Sequence, residues 1–125
     1  YPKAKGAPRL TVLQGLGFLR DAKSAKVFRS AAKEKGLEIR LAGLWGLMRI
    51  VSAEDAQLLL DTAAKEEGWG RIKATGYCLQ LAEALADAGK KKDAAKIYQN
   101  LKKNRNAKNE SHVRLACDKG LANLK

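Results

Sequence analysis

The chain has 125 residues, of which 46% are hydrophobic and 30% are charged, and only two are proline. This length is typical of one domain with a hydrophobic core, and the composition excludes disordered, collagen-like and disulfide-scaffold proteins. The formal net charge is +12, and no run approaches the roughly 20 apolar residues that a transmembrane helix needs.

Apolar side chains recur at helical spacing along most of the chain, as in Ala56, Leu59, Leu60 and Ala63. This period predicts amphipathic helices, whereas the period-2 alternation typical of strands is absent. We therefore expect an all-α fold, with a lead or linker over residues 1–8 and one helical domain over residues 9–125. The predicted helices span residues 9–20, 23–35, 39–51, 54–66, 71–88, 93–103 and 111–124.

Glycines and short polar residues mark the predicted helix ends. Gly36 and Gly68 each follow a segment rich in alanine, lysine and glutamate, where a helix C-terminus favours a left-handed residue. Gly89 separates two further predicted helices. Ser52 and Asp55 resemble an N-terminal capping box, with aspartate in place of the usual glutamate.

Six glycines fall inside predicted helices, where each costs roughly 1 kcal/mol relative to alanine. A compensating gain is expected, and close helix–helix packing supplies one. Replacing Gly46 by leucine should therefore overpack the fold. The six are Gly15, Gly17, Gly43, Gly46, Gly76 and Gly120.

The helices resemble one another in sequence. The pattern that begins at Arg9 recurs at Arg40, an offset of 31, and the pattern at Arg40 recurs at Arg114, an offset of 74. Lys73 occupies the intermediate position less well. Repeats of about 31 to 41 residues built from helix pairs indicate an α-solenoid, in which neighbouring pairs stack into one core.

Two segments, Glu38–Leu47 and His112–Ala116, resemble the second helix of HEAT repeats, especially the short bacterial type of phycobilisome-lyase-like proteins. The segment Leu81–Leu101 resembles a tetratricopeptide repeat without its early tryptophan and closing proline. The resemblance covers residues 9–125 and implies a right-handed α-solenoid of about seven stacked antiparallel helices. It also implies a missing partner for the first helix, and hence excision from a longer protein.

Positive charge concentrates at the two ends of the chain. Residues 1–36 carry +7, residues 37–89 carry −3 and residues 90–125 carry +8. A basic surface favours anionic partners, although the same lysines could form an ordinary solvated face or cap a helix C-terminus. The candidate anion-binding residues are Lys90, Lys91, Lys92, Lys102, Lys103, Arg105 and Lys108.

One repeat position is cationic throughout. Stacked repeats would align these cations in a row that could follow phosphates, whereas a structural role would pair each with a carboxylate such as Glu38 or Glu110. The residues at this position are Arg9, Arg40, Lys73 and Arg114.

Two tryptophans stand out. Trp69 lies between two glycines in a predicted turn, so it is a candidate anchor for a partner, because tryptophan is enriched among residues that dominate binding energy. It could equally fold back over the helix ends. Trp45 is expected to pack within or between repeats.

The chain offers few residues for chemistry. Cys78 and Cys117 lie in separate helical runs without a CxxC pattern, and His112 is the single histidine. This excludes the usual zinc and haem spacings. Both cysteines are expected to be buried apolar residues, although a disulfide between them stays open. We expect no cofactor, no metal and no catalytic constellation.

Three functions fit these observations. The first is a non-catalytic scaffold that binds a protein partner, the second is electrostatic binding of nucleic acid or another polyanion, and the third is an accessory repeat domain of a lyase-type or other larger enzyme. The third rests on the resemblance alone. Binding to nucleic acid would weaken steeply with salt, whereas binding through apolar anchors would not.

Overall fold

The computed structural model describes residues 25–105 and 107–124 of the chain. These residues form α-helices and two short 3₁₀ turns, Ala53–Asp55 and Lys108–Glu110, and contain no strand. The all-helical fold class predicted from periodicity is therefore confirmed. The helices are α1 Ala25–Ala32, α2 Leu37–Arg49, α3 Ala56–Lys65, α4 Gly68–Asp87, α5 Lys91–Asn104 and α6 Ser111–Asn123.

Six of the predicted helices correspond to α1–α6, with ends that differ by up to three residues. The larger differences are at α1, which ends at Ala32, and at α4, which begins at Gly68. The predicted helix 9–20 and the lead over residues 1–8 lie outside the described residues.

The consecutive helices α1–α2, α3–α4, α4–α5 and α5–α6 pack against each other, and helices two apart also touch. The pairs α2–α4, α3–α5 and α4–α6 are in contact, so α2, α4 and α6 are neighbours on one side, with α3 and α5 on the other. The core between them is apolar, with Leu44, Leu59 and Leu81 among its fully buried residues.

Glycines in α2 and α6 allow an aromatic ring of the preceding helix to approach closely. A Cβ atom on Gly46 would clash with the Phe28 ring at 2.2 Å, and one on Gly120 would clash with the Tyr98 ring at 2.4 Å. Gly43 similarly admits the α1 backbone, because its Cβ would lie 2.6 Å from the Phe28 carbonyl oxygen. The expectation that glycines serve close packing is confirmed at these positions.

Two helices end in the same left-handed turn, with different residues. Gly89, with φ of 84°, follows α4, and the Lys90 N–H donates to the Leu85 carbonyl at 2.8 Å. Val51, with φ of 55°, takes the equivalent place after α2. Since a left-handed conformation costs a residue with a Cβ about 1–2 kcal/mol, this turn is strained at Val51.

Two predicted helix ends differ from the structure. Gly68 is left-handed as predicted, with φ of 54°, but it begins α4. Gly36 is extended, with φ of −74°, and precedes α2. Ser52 makes no side-chain cap, because its hydroxyl donates to the Asp55 carboxylate at 2.5 Å. That carboxylate is drawn away from the capping role by the Arg29 Nε, which donates to it at 2.6 Å.

Candidate functional site

The predicted cationic cluster is divided between the two ends of α5. Lys90, Lys91 and Lys92 lie at its N-terminus, whereas Lys102 and Lys103 lie in its last turn. At 1.5 Å per residue, the twelve residues from Lys91 to Lys103 separate the two groups by about 18 Å. The cluster is therefore two separate groups of lysines.

Arg105 does not reach solvent, although the sequence placed it in that cluster. Its side chain is 2% exposed, and its Nη1 donates to Thr75 Oγ1 at 2.8 Å and to Glu110 Oε2 at 2.9 Å. Lys102 forms an ion pair with Asp118 at 2.6 Å, and Lys108 is exposed. Arg105 is accordingly a structural residue that joins α4 to the turn before α6.

The cationic repeat position is real, but its middle member is Arg71 and not Lys73. Arg40, Arg71 and Arg114 are each the fourth residue of their helix. Each donates from Nη1 to a backbone carbonyl at or just after the end of the preceding helix. Arg40 donates to Glu34 at 3.0 Å, Arg71 to Ala64 at 2.8 Å and Arg114 to Arg105 at 2.6 Å.

Two of these arginines also bind the carboxylate of a glutamate that lies just before the next helix but one, on the same side of the core. Arg40 pairs with Glu66 at 3.0 Å, and Arg71 makes a two-pronged pair with Glu110 at 2.9 Å. We call each of these pairs an arginine clip, and we call Arg40, Arg71 and Arg114, which share the helix position, the clip arginines. The structural role is thus confirmed for Arg40, although it pairs with Glu66 and not with Glu38, and Arg71 takes this role in place of Lys73.

Glu110 lies between two guanidinium groups, because Arg105 contacts the same carboxylate as Arg71. Hydrogen bonds from Arg71 and then from Arg105 hold the pKa of Glu110 below its ordinary value, against the opposing effect of burial. The Nη2 of Arg105 is buried, and no acceptor lies within hydrogen-bonding distance of it among the described residues.

A groove runs between α4 and α6. Its larger part has a volume of about 600 Å³, with an apolar floor formed by Ile72, Leu79 and Val113. A second part of about 320 Å³ continues from Leu79 toward Tyr98 and Gly120. The two parts share Leu79 and between them are lined by α6 residues from His112 to Asn123, and we call them together the groove.

Exposed apolar side chains lie on the two helices that form the groove, and one of them, Ile72, lines it. Trp69, Ile72 and Leu115 are 57%, 66% and 68% exposed and are the large exposed hydrophobic residues of the described chain. Ile72 and Leu115 each follow a clip arginine and so occupy equivalent positions on α4 and α6. Trp69, the predicted anchor, lies in the first turn of α4, with Lys73 Nζ 5.9 Å from its ring centre.

The rims of the groove carry opposite charges. Glu67 and Glu83 line its α4 side, are exposed and form no ion pair within the described part of the chain. Lys119 lines the α6 side. The α4 rim is therefore acidic, in a protein whose net charge is +12.

The residues with chemical potential are not assembled into a centre. Cys78 and Cys117 are free and buried, and burial raises the pKa of Cys78 to about 12 and that of Cys117 to about 11. Both are therefore protonated thiols near neutral pH. His112 lines the groove, and the described residues contain no group of three side chains suited to a metal ion.

Sequence reasoning missed the groove, although two residues signal it. Gly76 lies on the groove wall in α4, where an added Cβ would meet no atom within 4 Å, unlike Gly46 or Gly120. Val113 precedes the clip arginine of α6, where α4 has Gly70. A glycine that no neighbouring side chain approaches, and a valine at the position where α4 has a glycine, both indicate that α4 and α6 are not closely packed.

None of the described helices combines the length and apolarity required to cross a bilayer. No protein-family model matches the sequence, and neither a search of curated proteins nor a search of solved structures finds a match.

Proposed function

We propose that this protein is a non-catalytic helical-repeat scaffold that binds another protein in the groove between α4 and α6. The observation that carries the proposal is the apolar floor of the groove, which includes exposed Ile72, together with exposed Trp69, which follows the lining residue Gly68. Contiguous apolar surface rimmed by polar residues typically marks a binding site, and buried tryptophans often dominate the energy of such interfaces.

The scaffold is proposed to be an α-solenoid of HEAT type. The alternating contacts α2–α4, α3–α5 and α4–α6 support this arrangement, since stacked helix pairs touch in this order. The repeated arginine supports it as well, because Arg40, Arg71 and Arg114 each donate to a backbone carbonyl at or just after the end of the preceding helix. The seventh helix of this solenoid would be the predicted helix 9–20.

Polyanion binding is the alternative function. Lys92, Lys96 and Lys103 are exposed and share the outer face of α5, at spacings of four and seven residues. This row could follow a phosphate backbone. It lies on the face of α5 opposite to its buried residues, and no aromatic side chain accompanies it for base stacking.

A site-specific crosslinking experiment tests the proposal. A photoreactive benzophenone amino acid would replace Ile72 in the groove or, as the matched control, Gln99 on the exposed face of α5. We expect Ile72 to yield a discrete protein adduct that resists nuclease treatment and that still forms when irradiation is carried out in 0.5 M salt. Equal adducts at both positions would contradict the proposal, and a nuclease-sensitive adduct at Gln99 alone would favour polyanion binding.

A second variant separates loss of binding from loss of folding. Gly76→Gln would place a side chain into the groove at a position where a Cβ meets no neighbour, so the fold should keep its stability. We expect this variant to abolish the adduct at Ile72. An undiminished adduct from a folded Gly76→Gln protein would show that the groove is not the binding surface.

A further inference from the structure

We infer that the occupant of the groove is an amphipathic α-helix of a partner protein, with cationic residues facing α4. This inference rests on the proposed function and adds the chemistry of the partner. It follows from the shape of the groove, from its apolar floor and from the charges on its two rims.

The shape favours a helix. The groove lies between the neighbouring helices α4 and α6. Its lining extends along α6 from His112 to Asn123, which is twelve residues or about 18 Å. A helix fits such a space by laying a stripe of residues at i, i+3, i+4 and i+7 along its floor. The floor residues Ile72, Leu79 and Val113 would meet that stripe.

The small residues of the groove walls give the partner room to approach. Gly76 leaves open space on the α4 wall, and Ala116 lines the α6 wall. A helix packed at a usual interaxial distance of 8–10 Å needs small residues at its closest contact. An extended peptide would instead need unpaired backbone groups, and the described helices offer no strand edge.

The charges on the two rims of the groove determine which charges the partner helix should carry on each flank. Glu67 and Glu83 stand sixteen residues apart along α4, which corresponds to about 24 Å. A partner helix with lysine or arginine near both ends would place one cation beside each carboxylate. Lys119 on the opposite rim favours a carboxylate on the other flank of that helix. A nucleic-acid backbone would instead meet two unpaired carboxylates, which opposes its binding here.

Three designed 18-residue peptides test the inference on the full chain. The first is an amphipathic leucine helix with lysines fifteen residues apart, which places both near one flank of the helix. The second carries glutamates at those positions, and the third has the composition of the first in scrambled order. Binding is measured by fluorescence anisotropy of labelled peptide at about 150 mM salt. We expect the lysine-flanked helix to bind at least tenfold more tightly than either of the others.

Variants of the protein place the binding in the groove. Gly76→Gln should weaken the lysine-flanked peptide at least tenfold, and a double Glu67→Gln, Glu83→Gln variant should remove most of its advantage over the glutamate-flanked peptide. The control removes two exposed charges outside the groove lining, with Glu38→Gln and Asp87→Asn, and should leave both affinities unchanged. Thermal unfolding of each variant verifies its fold.

The outcomes separate the inference from the proposed function. Equal affinity of the lysine-flanked and glutamate-flanked peptides would overturn the assigned charge, and equal affinity of the scrambled peptide would overturn the helical partner. If no peptide binds while Ile72 still yields a protein adduct, the scaffold function stands and the helical partner is wrong. If neither is observed, the proposed function fails as well.

Discussion

The junction between α2 and α4 is closed, whereas the junction between α4 and α6 is open. Both carry an arginine clip, with Arg40 holding Glu66 in the first and Arg71 holding Glu110 in the second. Yet α2 and α4 are in extensive contact, while α4 and α6 touch at only a few points. The clip therefore sets the order of the helices, and other residues decide how closely they pack.

Two differences in side-chain size account for the open junction. At the position before the clip arginine, α4 has Gly70, whose absent Cβ leaves room for Leu37, whereas α6 has Val113. Five positions after the clip arginine, α2 has Trp45, which packs against the core, whereas α4 has Gly76. The closed junction thus has a large side chain, Trp45, on α2 and a close-approach glycine, Gly70, on α4. The open junction has neither feature.

A third difference is electrostatic. Arg105 is buried beneath the open junction and shares Glu110 with Arg71. Among the described residues, Arg40 is the one guanidinium that contacts Glu66. Burying a charge is unfavourable unless it is paired and hydrogen-bonded. The open junction consequently depends on one carboxylate more than the closed junction does.

The largest predicted effect follows from this dependence. Glu110→Ala leaves Arg105 buried without its carboxylate, and removing one partner of a buried ion pair typically costs about 3–5 kcal/mol of unfolding free energy. Glu66→Ala should cost clearly less, because Arg40 is more exposed than Arg105 and keeps its carbonyl acceptors. Urea unfolding of both variants gives the two values, and equal losses would contradict the difference between the junctions.

The second prediction concerns Gly70, the glycine of α4 that leaves room for Leu37. Gly70→Val gives α4 the residue that α6 has, and its Cβ would lie 2.8 Å from a Leu37 methyl group. Overpacking of this kind costs about 1–3 kcal/mol. In a double-mutant cycle, Leu37→Ala should recover part of the loss. A Gly70→Val protein as stable as the parent would show that this glycine does not close the junction.

The third prediction concerns acid. The pKa of Glu110 is lower in the folded chain than in the unfolded chain, so its stabilisation is complete above the unfolded value near 4.3 and is lost as the pH falls through the folded value. Unfolding free energy should therefore decrease below about pH 5. Glu110→Gln should flatten this decrease by up to about 1.4 kcal/mol per pH unit, measured by urea unfolding between pH 3 and 6. An unchanged slope would contradict the assigned pairing.

Periodicity was sufficient for the helices, because amphipathic stripes and glycine breaks are local properties of a sequence. It failed where a long-range partner decides the outcome. Asp55 resembles a capping residue until Arg29, 26 positions away, captures its carboxylate. Arg105 resembles a surface cation until Thr75 and Glu110 enclose it. The groove escaped prediction for the same reason, since Gly76 and Val113 indicate an open junction only once the packing of α4 and α6 is known.

The smallest predicted effect distinguishes the two kinds of helical glycine. Gly76→Ala adds a Cβ into open space, so the higher helix propensity of alanine should stabilise the fold by about 0.5–1 kcal/mol. Gly46→Ala and Gly120→Ala should destabilise it, because the new Cβ would clash with the Phe28 or Tyr98 ring. Thermal unfolding of the three variants provides the comparison. If Gly76→Ala were also destabilising, α6 would have to lie closer to α4 in solution, and the groove would be filled by the protein itself.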